Sequence, residues 1–406
     1  MSLLENSPFR TKTLAILRLE CFVTGPDGKP VNEGGFVPFV DSLAPYFERV
    51  EVAAPLVERL QLSSGLQSFQ SPNVSFRALP DLKGLARSWW RSRAALEKIR
   101  SWSTDWDLVN LRAPDNLLPF TAPLLAELGV PYYVQLVSHP FDAATSAIGA
   151  LSAPLRPIGR FAWHVQHRAI ARALHGHFCI AHGASLAKIA SAAGAEALNL
   201  PSGSLRREWV QPRAPRPRPR KLLFVGRLNR EKGLEHLIDA LPALEDLDLT
   251  LSLVGWPTGD FGRELRQRAL GLGVLKRLDF RGPAPHGETL FDIYREHDLF
   301  VLPSVSEGTP RVIGEAMAFG LPVVTTSAGG LPDLVEVGVT GLMVPPGDSA
   351  ALAAAIRRMI ADDELRQRLV ENATRSLDGR TLEAKAEQHV AALAARFDPE
   401  DQGVVA

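Results

Sequence analysis

The sequence predicts an α/β protein made of two Rossmann-like, doubly wound domains, and three observations support this fold class. Short apolar runs alternate with helical patterns along most of the chain, which is typical of parallel sheets covered by helices. A Pro/Arg-rich segment at 206–220 interrupts this alternation near the middle of the 406 residues. Each flank is long enough to bury its own core. We therefore expect domains at 1–205 and 221–378, with a last helical segment at 379–406.

The first half contains six candidate strands, each a short run rich in apolar residues: Thr13–Leu19, Arg49–Ala53, Val74–Ala78, Leu108–Leu111, Tyr132–Val137 and His177–Ile180. Patterns with helical spacing lie between most of them, and they predict helices at Gly35–Phe47, Leu85–Ser101, Asn116–Leu128, Ile158–Leu174 and Ala184–Ala192. The regular alternation indicates one parallel sheet in this half.

The second half repeats the same order of elements. Its candidate strands are Lys221–Val225, Leu249–Val254, Leu278–Phe280, Leu299–Leu302, Pro322–Thr326 and Leu342–Val344. Its candidate helices are Leu234–Leu241, Phe261–Leu270, Thr289–His297, Arg311–Phe319 and Ala350–Ile360. A final helix at about 381–396 has no strand after it.

The segment between the two halves alternates proline with arginine over residues 212–220. Proline removes a backbone donor and restricts the residue before it, so neither a helix nor a central strand can form there. We expect an extended, semi-rigid linker whose arginines serve solubility rather than phosphate binding.

Composition excludes several classes of protein. The chain is 46% hydrophobic and 22% charged, which argues against a disordered protein, and its two cysteines cannot form a disulfide framework. The formal charge is zero, yet residues 1–220 carry 25 basic and 17 acidic side chains against 20 and 28 in the remainder. The first residues do not form a secretory signal, and no apolar run is long enough to cross a membrane, so we expect a cytoplasmic protein.

Ligands of doubly wound sheets bind beyond the carboxyl ends of the strands, so the loops there are the candidate sites. The loop after Lys221–Val225 contains Gly226, Arg227 and Lys232, and cations beside glycines at a helix start can neutralise a diphosphate. A solvated charged loop explains these residues equally well.

The loop after Leu299–Leu302 leads into a helix through Glu307, Gly308, Thr309 and Pro310. Free amides at such a helix start attract an anion, and Glu307 lies at the same edge. Glu315 follows on an otherwise apolar stretch, where a carboxylate needs hydrogen bonds that ribose hydroxyls could supply. An N-terminal charge and a glutamate at the rim of the helix remain the alternative.

Three further positions have weaker signals. Asp333 follows the glycine turn 329–330, which itself follows a candidate strand. Gly34 and Gly35 precede a helix in the first half and allow a close approach to phosphate or sugar. His139 lies just after a candidate strand, although a single histidine is more often a surface residue.

Residues 82–102 carry six basic side chains and one acidic one, interleaved with three tryptophans. One interpretation is an amphipathic helix that packs its tryptophans and solvates its cations. The other is a basic aromatic helix in peripheral contact with an anionic membrane surface. Nothing in the chain resembles a nucleic-acid-binding motif, so no nucleic-acid partner is expected.

The order and spacing of these motifs resemble retaining glycosyltransferases of family 4. The run from Glu307 to Glu315 looks like the family's Glu-(seven residues)-Glu signature, and residues 224–233 resemble its phosphate-binding loop. The resemblance covers residues 221–360 well, and it rests in the first half on Gly34, Gly35, His139 and the strand order. It implies a GT-B fold, with two Rossmann-like domains facing each other across a cleft and a C-terminal helix that crosses back to the first domain.

The resemblance also implies an activity: metal-independent transfer of a hexosyl or N-acetylhexosaminyl group, with retention, from a UDP or GDP sugar. Arg227 and Lys232 would neutralise the diphosphate, Glu307 would contact the donor sugar, and His139 would lie near the reacting carbon. The other positions implied in donor binding are Gly34, Gly35, Gly226, Arg281, Gly282, Gly308, Thr309, Pro310, Arg311, Glu315 and Asp333. No cofactor or metal is expected, and the acceptor is a glycan, a lipid or a small molecule.

Two alternatives remain open from the sequence. The first is a nucleotide-sugar epimerase or an inverting transferase on the same fold. The second is a scaffold that binds sugar nucleotides without turnover.

Overall fold

The structure is a computed structural model that describes residues 4, 6–33, 35–58, 66–81, 88–115, 117–138, 168–201, 203, 205–308 and 310–398. The chain forms two compact units, one made of Met1–Gly203 with Leu382–Ala406 and the other of Ser204–Thr381. Each unit is an α/β domain with a mainly parallel sheet, which confirms the predicted class of two Rossmann-like domains.

The strands, in chain order, are β1 Thr13–Leu17, β2 Phe22–Thr24, β3 Pro30–Glu33, β4 Arg49–Val57, β5 Leu66–Gln67, β6 Val74–Leu79, β7 Leu108–Ala113, β8 Tyr132–Leu136, β9 Phe178–Ala181, β10 Glu196–Asn199, β11 Lys221–Val225, β12 Thr250–Val254, β13 Leu278–Gly282, β14 Leu299–Leu302, β15 Val323–Thr326 and β16 Leu342–Val344. The α-helices with described bounds are α1 Phe36–Leu43, α2 Ser88–Trp102, α3 Leu118–Glu127, α4 Ala184–Ala192, α5 Leu234–Ala240, α6 Phe261–Gly271, α7 Glu288–Glu296, α8 Arg311–Ala318, α9 Ser349–Ala361, α10 Asp363–Ser376 and α11 Leu382–Phe397.

The sheet of the second unit is parallel throughout, with the order β13-β12-β11-β14-β15-β16. In this order the chain direction across the sheet reverses between β11 and β14, which is the topological switch point of a doubly wound fold. The carboxyl ends of β11 and β14 are therefore neighbours. The two candidate loops, after Val225 and after Leu302, therefore leave the sheet side by side.

The first unit has an equivalent parallel sheet with the order β10-β9-β8-β7-β1-β4-β6. Its switch point lies between β1 and β7. A small extension departs from the predicted pattern: β2 pairs with the end of β4, and β3 pairs antiparallel with β2 and with β5. The segment before Gly34, expected to be a loop, therefore contains the strand β3.

Burial explains why these short runs become strands. In the second unit, β14 and β15 are buried along their whole length and belong to one continuous apolar core with the helices on both faces. The first unit has two apolar clusters, consistent with one on each face of its sheet, and α11 contributes Val390 and Leu393 to one of them. Each fully buried aliphatic side chain contributes about 1.5–3 kcal/mol, so the central strands are the best-anchored part of each unit.

The linker forms no helix or strand at residues 210–216, as predicted, but the expected role in solubility is wrong for Arg213 and Arg216. Arg213 donates hydrogen bonds to the carbonyl oxygens of His297 and Phe319. Arg216 pairs with Asp298 at 3.1 Å and donates to the carbonyl oxygen of Arg295 at 3.0 Å. Carbonyls at a helix end lack partners within the helix, so guanidinium groups that satisfy them fix the linker to its own unit.

The described part of the basic helix α2 is packed against its own unit. Ala95 and Ile99 are buried, Arg100 pairs with Glu127 at 3.2 Å, and Lys98 donates to a backbone carbonyl. The cationic groups of Lys98 and Arg77 lie over the ring of Trp102. The described residues contain no helix with the length and apolar character needed to cross a bilayer.

Candidate functional site

The switch point of the second unit brings the two candidate loops into direct contact. The backbone amide of Val305, in the loop after β14, donates to the carbonyl oxygen of Glu231, in the loop after β11, at 2.8 Å. Gly233 has φ +61°, and a Cβ there would lie 2.2 Å from the carbonyl oxygen of Pro303. Only glycine allows this approach, so the sequence Lys232-Gly233 holds the two loops together.

Lys232 and Glu307 meet across these loops. The Nζ of Lys232 lies 2.5 Å from Oε1 of Glu307, and their side chains are only 15% and 7% exposed. The hydroxyl of the buried Ser304 donates to the same carboxylate oxygen at 2.7 Å. Because the pair is largely withdrawn from water, each charge depends strongly on its partner. The sequence motifs therefore converge on one charged cluster.

The loop after β15 closes on the same cluster. Gly329 has φ +55°, and a Cβ there would lie 1.9 Å from the carbonyl oxygen of Glu307. The amide of Gly330 donates to that oxygen at 3.3 Å. Asp333 lies in the short turn that follows and is exposed. The carboxyl ends of three adjacent strands, β11, β14 and β15, thus contribute to one edge of the sheet.

Glu315 lies inside α8 and is buried, so the alternative of a glutamate at the rim of the helix is wrong. Its Oε2 accepts a hydrogen bond from the Tyr294 hydroxyl at 2.9 Å, and His286 Nε2 lies 3.3 Å from Oε1. Burial, followed by the charge of Glu315, raises the pKa of Tyr294 well above its ordinary value. Tyr294 thus supplies one hydrogen bond of the kind that ribose hydroxyls were expected to supply. Each oxygen keeps a further lone pair for a ligand hydroxyl.

The cations at this edge differ in how far they are engaged. Within the described residues, the exposed side chains of Arg227 and Arg311 make no hydrogen bond or ion pair. Arg230, in contrast, pairs with Glu264 at 2.5 Å. Arg227 is therefore the unpaired cation that a diphosphate can recruit from the loop after β11, whereas Lys232 would have to be shared with Glu307.

Arg281 and Gly282 lie at the end of β13, two strands away from the switch point. The guanidinium of Arg281 pairs with Asp279 at 2.8 Å and with Glu296 at 3.0 Å, and these hydrogen bonds raise its pKa. The carbonyl of Gly282 accepts from Gly255 at 2.8 Å. Any contact from this strand to a nucleotide base therefore has to come from the remaining backbone groups.

Several remaining predicted positions cluster at helix starts. Gly308 is exposed, and Pro310 is the residue before the first turn of α8, which has no side-chain cap. Gly226 follows β11, and its amide donates to the carbonyl of Val254. Gly35 directly precedes α1, also without a side-chain cap. Gly34, His139 and Thr309 lie outside the described residues.

The chain contains two Asp-x-Asp triplets, a motif that holds divalent metals in some transferases. They are Asp105-Trp106-Asp107 and Asp246-Leu247-Asp248, and they precede β7 and β12. Each triplet therefore lies at the amino ends of the strands of its own sheet, whereas ligands of such sheets bind at the carboxyl ends. Their carboxylates already pair, in chain order, with Arg77, Lys12, Arg357 and Arg220. Across the described residues, no group of three or more potential ligands could hold a metal ion.

Sequence reasoning missed several side chains at this site. Ser304 stands two residues after β14, so its position at a strand end was a usable signal. Tyr294 and His286 had no local signal, because they reach Glu315 only after α7 has packed on the sheet. Trp209, in the linker turn, packs edge-on against His286 with ring centroids 5.3 Å apart.

The family model described as "Glycosyl transferases group 1" matches residues 206–376, which include the whole cluster around Lys232 and Glu307. A D-inositol 3-phosphate glycosyltransferase of Corynebacterium glutamicum is 40% identical over 156 residues, 37% of this chain and 37% of that protein. A glycogen synthase of Mycobacterium tuberculosis is 40% identical over 167 residues, 41% and 40% of the two chains. This chain therefore matches only about two fifths of the length of these relatives.

Solved structures resemble the chain over nearly its whole length. HepE of Anabaena, solved in complex with UDP, has a TM-score of 0.67 at 20% identity and covers 95% of this chain and 100% of its own. Sucrose-phosphate synthase of Thermosynechococcus elongatus has a TM-score of 0.65 at 21% identity, with 95% and 99% covered. At such low identity the likeness establishes the fold alone, and it confirms the GT-B fold class.

Proposed function

We propose that this protein is a retaining glycosyltransferase that uses a nucleoside diphosphate sugar as donor. The observation that carries the proposal is the pairing of Lys232 with Glu307 at the switch point of the second unit, in two loops that also contain the exposed Arg227 and lead to the start of α8. The match of residues 206–376 to group 1 glycosyl transferases supports it, and so does the UDP bound to the structural relative HepE.

The donor would bind along this edge by charge and hydrogen bonding. Arg227 and Lys232 would neutralise the diphosphate, and the uncapped start of α8 would add the positive end of the helix dipole, equivalent to roughly half a charge. Gly308, Pro310 and Arg311 lie at or just before that helix start, and we propose that Thr309 adds a further donor contact. Glu315 would accept hydrogen bonds from the ribose hydroxyls, since Tyr294 and His286 hold its carboxylate in place.

Transfer requires stabilisation of a cationic sugar carbon and of the departing diphosphate. Glu307 would contact donor-sugar hydroxyls and stabilise positive charge while Lys232 is shared with the leaving group. A retaining glycosidase needs a second carboxylate about 5 Å from the first. In the described part of the second unit, no second carboxylate contacts Lys232 or Ser304 beside Glu307. We therefore propose transfer on one face of the sugar, with the leaving phosphate accepting the acceptor's proton.

The charges of the site also support transfer without a metal ion. Two cations and a helix start can neutralise a diphosphate, and both Asp-x-Asp triplets are paired at the opposite edge of their sheets. UDP or GDP sugars that carry a hexosyl or N-acetylhexosaminyl group remain the proposed donors. We also propose Gly34, Gly35 and Asp333 as donor contacts and His139 as a group near the reacting carbon.

A panel of UDP and GDP sugars tests the proposal without knowledge of the acceptor. We expect slow release of the nucleoside diphosphate from at least one donor, in the presence of a chelator, and its loss in Glu307→Ala and Lys232→Ala. Asp246→Ala removes a carboxylate from an exposed ion pair at the opposite edge of the same sheet and should leave the release rate unchanged. Epimerisation without release, or binding without turnover, would contradict the proposal.

Peripheral membrane contact through residues 82–102 is a separate proposal, since a cytoplasmic enzyme with a lipid acceptor would need such contact. Binding to anionic liposomes at two salt concentrations tests it, because a polybasic contact weakens as ionic strength rises. Absent or salt-independent binding would contradict it.

A further inference from the structure

The switch point of the first unit also carries charged side chains. Arg18 directly follows β1, and Arg112 lies near the carboxyl end of the adjacent strand β7. Because ligands of doubly wound sheets bind where such strands diverge, both guanidinium groups lie at a ligand-binding edge. Both arginines line one pocket, together with Asp115.

Both guanidinium groups lie against the same aromatic ring. The guanidinium carbons of Arg18 and Arg112 lie 4.2 and 4.8 Å from the centre of the same ring, that of the buried Phe36. Burial, together with the charge of Arg112, lowers the pKa of Arg18 to about 9, and burial lowers the pKa of Arg112 to about 10. Two like charges withdrawn from water are costly unless an anion compensates them.

The described residues supply little compensation. Arg112 NH1 donates to the neutral amide oxygen of Gln135 at 2.9 Å, and Gln135 contacts His182, whose pKa is lowered to about 3 by burial and by Arg112. Arg112 thus has no carboxylate partner among them. Arg18 contacts Glu20, whose side chain is 71% exposed and therefore a weak, screened partner. Its NH1 atom is buried without a hydrogen-bond partner in the described residues.

The one carboxylate in the pocket is poorly placed to act as a counter-ion. Asp115 accepts backbone hydrogen bonds, among them one from Leu117 at 2.6 Å. Burial nevertheless raises the pKa of Asp115 to about 7. Asp115 forms no ion pair with either arginine in the described residues. The switch point keeps unsatisfied positive charge.

We propose that Arg18 and Arg112 form a site for an oxyanion group, a phosphate or a carboxylate, carried by the acceptor substrate. That the anion belongs to an acceptor substrate rests on the proposed transferase function, whereas the anion site itself does not. Guanidinium groups suit such an anion because they donate paired hydrogen bonds to two of its oxygens. Acceptors with a phosphate or carboxylate group would therefore be preferred over neutral sugars of the same size.

Calorimetric titration of the full chain with methyl phosphate and, separately, with acetate at constant ionic strength tests the site. UDP is kept saturating, or GDP if only GDP binds, so that the donor site is filled. We expect one site for at least one probe, and a dissociation constant raised at least about tenfold in Arg18→Met and Arg112→Met. Arg112→Lys, which keeps the charge but loses the fork, should fall between the parent and Arg112→Met. The stronger of the two probes identifies the anion class.

Two controls separate this site from the donor site and from misfolding. Arg93→Met removes an exposed arginine of the same unit and should bind the probe like the parent. Lys232→Ala should retain probe binding even if it abolishes nucleotide binding, so failure of the proposed function remains distinguishable. Binding of neither probe to the parent, loss of binding only in Lys232→Ala, or displacement of the probe by UDP or GDP would overturn the proposal. Equal binding by Arg112→Met and the parent would overturn it as well.

Discussion

Replacing Glu307 by glutamine should strengthen nucleoside diphosphate binding while it abolishes transfer. Lys232 Nζ lies 2.5 Å from Glu307 Oε1, so a diphosphate that recruits this ammonium group competes with the carboxylate. Glutamine keeps a hydrogen-bond acceptor at this position but removes the negative charge. The substitution therefore frees the cation and removes a like charge close to the diphosphate.

The magnitude follows from the strength of a charged hydrogen bond, which is about 1.5–3 kcal/mol. In the parent, Lys232 shares this bond with Glu307, so the diphosphate obtains only part of its free energy. Recovery of about 1.4 kcal/mol corresponds to a tenfold lower dissociation constant for UDP or GDP. The folded state should lose stability by about 3 kcal/mol, because a largely buried Lys232 then has no charged partner. Tighter binding by a less stable protein cannot arise from misfolding.

Calorimetric titration with UDP and with GDP measures the affinity, and urea unfolding measures the stability. Asp246→Asn is the control, because Asp246 pairs with Arg357 at 2.6 Å in an exposed position at the opposite edge of the same sheet. That variant should change neither quantity by a measurable amount. Unchanged or weaker binding by Glu307→Gln to whichever nucleotide the parent binds would refute the role of Lys232 as the diphosphate cation.

Three other substitutions test the surroundings. Tyr294→Phe leaves the buried Glu315 one donor short and should cost about 1–3 kcal/mol in urea unfolding, with weaker donor binding; an unchanged stability would contradict this. Gly329→Ala places a Cβ 1.9 Å from a carbonyl oxygen, whereas Gly338 also has a positive φ but has open space around it. Gly329→Ala should therefore lower the free energy of unfolding more than Gly338→Ala does, and equal losses would contradict this. His389 is buried with its pKa lowered from 6.5 to about 3, so its contribution to stability is intact above pH 6.5 and is lost as pH falls towards 3. Between pH 7.5 and 4.5 the free energy of unfolding of His389→Gln should therefore fall by about 3 kcal/mol less than that of the parent. Parallel curves of unfolding free energy against pH would contradict this.

Much of the fold could be predicted because buried parallel strands are short apolar runs bounded by turns. The strands β11, β14 and β16 have the predicted bounds. The missed elements lack that signature: β10 is largely exposed at a sheet edge, and β3 begins with proline. Helix α10 has a polar sequence that buries only a narrow stripe.

The site was only partly predictable, for a different reason. Its loops follow strand ends, so their residues could be selected from chain order alone, and the structure brings Lys232 and Glu307 together. Tyr294 and Arg216 reach their partners only through tertiary packing, which no local pattern encodes. The linker arginines illustrate this point, since proline spacing predicted the extended backbone but not the helix-end carbonyls that the arginines would meet.

The central claim is retaining transfer from a nucleoside diphosphate sugar bound at the switch point of the second unit. Proton NMR of a donor with an α-linked sugar, recorded during its hydrolysis without acceptor, tests this claim most directly through the anomer that appears first. We predict the α-anomer first, with signal growth lost in Lys232→Ala. First appearance of the β-anomer would contradict retention, and equal release by Lys232→Ala and the parent would contradict the assigned site.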